Sequence, residues 1–153
     1  MSNSRNARLR SGFSMLEMLI VMIVMGILVK IGVQKIERVV RHERVNRAAQ
    51  VVVQDLQNGF AMAGRQRAPV RLTFTVGTKT YEFTDRASGT SLQKRVMSTG
   101  ADYSLTSMAT TATTVDILPN GIGSTAFTVT LTNGDYSRTV SASTAGFIRM
   151  TPQ

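Results

Sequence analysis

The chain has 153 residues, no cysteine, one histidine, and 18 Lys and Arg against 9 Asp and Glu, for a formal net charge of +9. That length allows one modest packed domain, and the lack of cysteine excludes disulfides, thiolate catalysis and thiolate metal sites. The positive charge is uneven: residues 13–47 hold six basic and three acidic side chains, residues 48–71 three and one, and residues 72–153 six and five.

Arg5, Arg8 and Arg10 precede Gly12, and from Phe13 to Val33 the sequence is apolar except for Glu17 and Lys30. As a helix these 21 residues cover about 31 Å, close to the hydrocarbon thickness of a bilayer. Lys30 lies near one end, where its long side chain can reach the interface. Glu17 cannot, and a carboxylate inside such a run costs roughly 2.5 to 3.5 kcal/mol on insertion scales, so a role is expected for it. No small-residue cleavage pattern follows Val29, which excludes an ordinary secretory signal peptide. The segment has no proline, and Gly26 and Gly32 are its weak points. Lys35, Arg38, Arg41, Arg44 and Arg47 outnumber the leader arginines, so the positive-inside rule alone would keep the downstream side in the cytoplasm.

Beyond the apolar run, Val33, Ile36, Val39, Val40, Val45, Ala49, Val52, Val53, Leu56 and Phe60 recur mainly at spacings of three and four. The spacing predicts one helix from Phe13 to about Ala63, ended by Gly64 and the Ala68-Pro69 pair. After Pro69 the period becomes two: Val70, Leu72, Phe74 and Val76 alternate with polar residues. Tyr81 and Phe83, Val115 and Ile117, and Phe127, Val129 and Leu131 continue the strand pattern. Asn133-Gly134 predicts a hairpin turn into the strand Tyr136 to Ser143, and Phe147 to Met150 reads as a last short strand. Ser104 to Thr114, rich in Ser, Thr and Ala, reads either as a loop or as an edge strand. The expected fold is α+β, with a long N-terminal transmembrane α-helix packed on a small C-terminal antiparallel β-sheet domain.

Nothing in the sequence assembles a catalytic centre. His42 lies between Arg41 and Glu43 and is expected to be solvated, and the acids stand singly. Gly121-Ile122-Gly123-Ser124-Thr125-Ala126 matches a dinucleotide fingerprint in letters, but a strand rather than a helix follows it, so it reads as a turn. The expectation is a non-enzyme without cofactor or metal.

With its basic leader, Gly12, Phe13 as the following aromatic residue and Glu17 five places into the mature numbering, the chain resembles the type IV pilin and pseudopilin family. The order of a long helix and an all-β domain, with Pro69-Val70-Arg71-Leu72 and Leu118-Pro119-Asn120-Gly121, is similar to the GspH/FimT branch. The resemblance implies cleavage between Gly12 and Phe13 by a prepilin peptidase in the cytoplasm and methylation of the Phe13 amine. It implies a leader at 1–12, a membrane half of the helix at 13–33, a periplasmic half and connector at 34–68, and a β-rich domain at 69–153. The mature chain would sit in the bacterial inner membrane with its C-terminal domain in the periplasm. It would join other pilin or pseudopilin subunits in a type II secretion pseudopilus or type IV pilus, near the tip. Phe13 and Glu17 lie four apart on one helix face, so amine and carboxylate can offset each other's desolvation, within a chain or between neighbours.

Two partners compete for the basic residues. A basic juxtamembrane helix fits anionic lipid headgroups or acidic faces of neighbouring subunits, whereas Arg65, Arg67 and Arg71 could neutralise phosphates of double-stranded DNA without reading sequence. The second reading makes the chain a DNA-binding minor pilin for DNA uptake. A third reading is an anchored periplasmic binding domain outside any filament.

Overall fold

Helix α1 runs from Met15 to Gln66 in a computed structural model that describes residues 13–98, 100 and 102–152. The leader 1–12, and with it Gly12, lies outside the described residues. Ser14 caps the helix: its Oγ accepts a hydrogen bond from the Leu16 N–H at 3.2 Å, and its carbonyl accepts from the Met18 N–H at 3.2 Å. One otherwise orphaned N-terminal donor is thereby satisfied. The chain divides into two compact units, one ending at Glu37 and the other beginning at Arg38. In the first, residues 13–30 are exposed throughout.

In the second unit Val45, Ala48, Ala49, Val52, Leu56 and Ala63 form the buried stripe of α1, while Val39 and Val40 remain exposed. The apolar pattern in the sequence therefore starts earlier than the cover does. The end of the helix also differs from expectation. It passes Gly64, because a single glycine inside a helix costs only about 1 kcal/mol, and stops where Arg67 takes a left-handed φ of 53° ahead of Pro69. The missing Cβ of Gly64 faces the Pro119 carbonyl at 3.7 Å.

Eight strands follow: β1 Val70–Thr75, β2 Thr80–Asp85, β3 Ser91–Val96, β4 Ser107–Thr110, β5 Thr114–Ile117, β6 Phe127–Asn133, β7 Tyr136–Ala142 and β8 Ile148–Pro152. They form two four-stranded antiparallel sheets, sheet I in the order β3-β2-β1-β5 and sheet II in the order β4-β6-β7-β8. Alternation sets the buried faces: Val70, Leu72 and Phe74 of β1 and Phe127, Val129 and Leu131 of β6 point inward. The Phe74 and Phe127 rings, 5.7 Å apart, join the two sheets in one core with the helix stripe.

The Ser104 to Thr114 segment resolves as an edge strand, β4, paired only with β6. Strand β3 was not anticipated, since Ser91-Leu92-Gln93-Lys94-Arg95-Val96 is mostly polar and lies at the edge of sheet I. In the β6–β7 hairpin Asn133 stays in the strand opposite Tyr136, and the turn falls on Gly134, at φ 61°, and Asp135. The Gly121 segment is a turn, as read: the Gly121 N–H donates to the Leu118 carbonyl and the Leu118 N–H to that of Ile122.

Two polar clips fix α1 on the sheets. Asp55, only 3% exposed, accepts from the Tyr81 hydroxyl at 2.6 Å and from Nε and Nη2 of Arg95, both at 2.9 Å. Burial raises the Tyr81 phenol well above its ordinary value, helped by the bond to Asp55, and that carboxylate likewise raises Arg95. In the other clip, Arg138 of β7 donates from Nε to Asn46 Oδ1 at 2.6 Å and lies 3.3 Å from Nε2 of His42. His42 also meets the Tyr136 ring edge-on at 5.3 Å. The expectation of a merely solvated His42 is thus corrected: it is half-buried because β7 delivers Tyr136 and Arg138 to it.

Candidate functional site

Position along α1 decides what Glu17 can do. It is the acidic residue of the first helical turn, three residues after the capping Ser14, the spacing of a capping box. There a carboxylate is also favoured by the helix macrodipole. The Ser14-to-Glu17 spacing was legible in the sequence but went unused. Phe13, 74% exposed, precedes the helix proper, so the aromatic residue and the carboxylate stand at the very start of an exposed apolar rod. Helix α1 is long and apolar enough to cross a membrane.

The three arginines singled out near the end of the helix have different surroundings. Arg65 bends back toward its own helix, with Nε 3.4 Å from the Ala61 carbonyl. Arg67 holds the left-handed position that ends α1 and is exposed. Arg71 is committed to a bidentate pair with Asp116 across β1 and β5, Nε to Oδ1 at 2.8 Å and Nη2 to Oδ2 at 3.2 Å. Arg86 adds a second contact to the same carboxylate at 3.4 Å. The hydrogen bond from Arg71, reinforced by both positive charges, lowers the Asp116 carboxyl below its ordinary value, against a smaller opposing effect of burial. Arg71 thus serves sheet I, and the exposed cations of this cluster are Arg65 and Arg67.

Among the described residues no group of His, Cys, Asp or Glu could hold a metal ion. Among the described residues, no buried side-chain nitrogen or oxygen of the sheet domain lacks a hydrogen-bond partner.

Comparison with known families matches residues 38–146 to the model described as type II transport protein GspH and residues 7–29 to that of the prokaryotic N-terminal methylation motif. Among solved structures, the minor pseudopilin EpsH from the type 2 secretion system of Vibrio cholerae superposes with a TM-score of 0.58 at 17% identity, covering 71% of this chain and 97% of that one. The type IV minor pilin FimU of Pseudomonas aeruginosa superposes with a TM-score of 0.59 at 21% identity, covering 72% and 90%. At such identities the likeness is one of fold. Comparison with curated protein sequences returns no match.

Proposed function

The chain belongs to the GspH family of type II transport proteins, and from that premise we propose that it is a minor subunit near the tip of a pseudopilus or type IV pilus. A prepilin peptidase removes residues 1–12 and methylates the Phe13 amine. The helix then holds the mature chain in the inner membrane, with the domain from Arg38 onward in the periplasm, until the subunit enters the filament. The observation that carries this reading is Glu17, the sole acid between Phe13 and Val33, placed in the first turn of α1 within a stretch, residues 13–30, that is exposed throughout.

In the filament Glu17 meets the methylated amine of a neighbouring subunit. An ion pair removed from water specifies register more than it adds stability, because desolvation offsets most of the attraction. Glu17→Val is therefore expected to leave cleavage intact while excluding the subunit from filaments, measured by comparing processed protein in membranes with protein in sheared filaments. Normal incorporation of the variant would overturn the role given to Glu17.

A further inference from the structure

Of the four strands at sheet edges, β5 is closed by its own neighbours: the Ser124 N–H donates to the Asp116 carbonyl at 2.8 Å, and the Asp116 N–H to Ser124 Oγ at 3.0 Å. Strand β8 pairs with β7 on one side, and among the described residues no backbone bond reaches its other side. The β7–β8 turn fixes which groups lie there. The Ser143 N–H donates to the Phe147 carbonyl at 2.9 Å, and one register runs from that pair to Arg138 opposite Pro152. Bonded and non-bonded positions alternate in an antiparallel pair, so Arg149 and Thr151 bond to β7, while Ile148, Met150 and Pro152 aim their backbone groups outward. Proline has no N–H, so the donors of this open edge are those of Ile148 and Met150.

Helix α1 flanks the edge. Met150 shares the inner face with Val140, its partner in β7, and lines an open cleft of about 410 Å³ with Gln50, Val53, Gln54 and Gln57. No charged side chain lines that cleft. The three glutamines are exposed, and among the described residues their carboxamides form no hydrogen bond. A carboxamide carries both donors and acceptors, so this row can meet one side of an extended backbone while β8 meets the other. Adding an extended segment to a sheet edge is a recurring mode of peptide recognition, in which the backbone gives affinity and alternate side chains give specificity.

The specificity is set by Arg149. It stands on the outer face opposite Ser141, is exposed, and among the described residues has neither an ion pair nor a hydrogen bond. A strand laid on β8 places one side chain directly across from Arg149, where an acid is favoured and a cation is not. The residues on either side of that acid turn to the cleft, beside Met150 and Val53, where apolar side chains are favoured. A second copy of β8 has no acid to supply. We propose that β8 is a docking edge for an extended segment of a different protein chain, in which an acid facing Arg149 is flanked by apolar residues. Every group involved belongs to the unit beginning at Arg38.

The test uses the full chain in detergent micelles. The probe is a short peptide in which valines flank a central glutamate and threonines follow on each side, and its counterpart carries lysine at the centre. Amide exchange followed by NMR should show Ile148 and Met150 unprotected in the free chain and slowed at least about tenfold by the glutamate peptide, with Arg149 and Thr151 slower throughout. The lysine peptide should bind about threefold more weakly, and Arg149→Glu should reverse that order. Met150→Pro removes an edge donor but none of the bonds to β7, and should weaken binding of the glutamate peptide at least about tenfold. Circular dichroism confirms that both variants keep their fold. Amides of Ile148 and Met150 that are already slow in the free chain, no binding of the glutamate peptide, or binding indifferent to both substitutions would overturn the proposal.

Discussion

Replacing Asp55 with alanine should weaken the hold of helix α1 on sheet I, and the size of the loss follows from its three bonds. The substitution leaves the buried Tyr81 hydroxyl without its acceptor and the Arg95 guanidinium without its counter-charge. Removing one partner of a fully buried pair costs about 3 to 5 kcal/mol. The Arg95 side chain is 36% exposed, so water replaces part of what is lost, and the expected destabilisation is about 2 to 4 kcal/mol. Tyr81→Phe removes one donor only, while Asp55 keeps both bonds to Arg95, and should cost about 1 kcal/mol. Urea unfolding of the unit beginning at Arg38, followed by circular dichroism, measures both. In a thermal scan the Asp55→Ala shift should be about 10 °C, at about 4 °C per kcal/mol for a unit of this size. An Asp55→Ala variant within about 1 kcal/mol of wild type, or one no worse than Tyr81→Phe, would refute the claim that this carboxylate clips helix to sheet.

Three other outcomes follow from packing and charge. At Gly59 an added Cβ would press on Cε1 of Phe83 and lie 2.9 Å from its Cδ1, and that ring is fully buried, so Gly59→Ala should destabilise by about 1 to 3 kcal/mol in the same urea assay. A neutral or stabilising Gly59→Ala would show that the ring has room to move. Asp116 is held below its ordinary value, so its contribution is present above about pH 4 and fades as pH falls below that toward its folded value. The Tm gap between wild type and Arg71→Gln should therefore narrow on acidification, and a constant gap would contradict the pairing. The Tyr81 phenol is raised, so its contribution is full below about pH 10 and is lost as pH climbs above it. Comparison of wild type with Tyr81→Phe should show no tyrosinate absorbance from Tyr81 until the domain unfolds.

The parts legible in the sequence are those where one strong period holds without interruption. Val70 to Phe74 and Phe127 to Leu131 alternate cleanly because each strand has one face in the core and one outside it. Strand β3 escaped because an edge strand with one neighbour and both faces partly wet needs no such alternation. Gly64 misled because a glycine stops a helix only where the backbone turns left-handed, and that turn falls at Arg67. Asp55 could have drawn notice as an acid among Val52, Leu56 and their buried neighbours, but its partners lie 26 and 40 residues away and no local pattern names them. At the N-terminus the pattern is local. The Ser14-to-Glu17 spacing of a capping box stands in the sequence, and the hydrogen bonds show it acting, with Ser14 Oγ accepting from the Leu16 N–H where the helix starts at Met15.

The central claim is that this chain is matured as a pilin-like subunit, and the N-terminus of the protein recovered from membranes tests it most directly. Intact mass and N-terminal peptide mass spectrometry should find a chain that begins at Phe13 and carries one added methyl group, with Gly12→Val accumulating uncleaved. A mature protein that retains Arg5, Arg8 and Arg10, or a Gly12→Val variant cut as efficiently as wild type, would contradict the account.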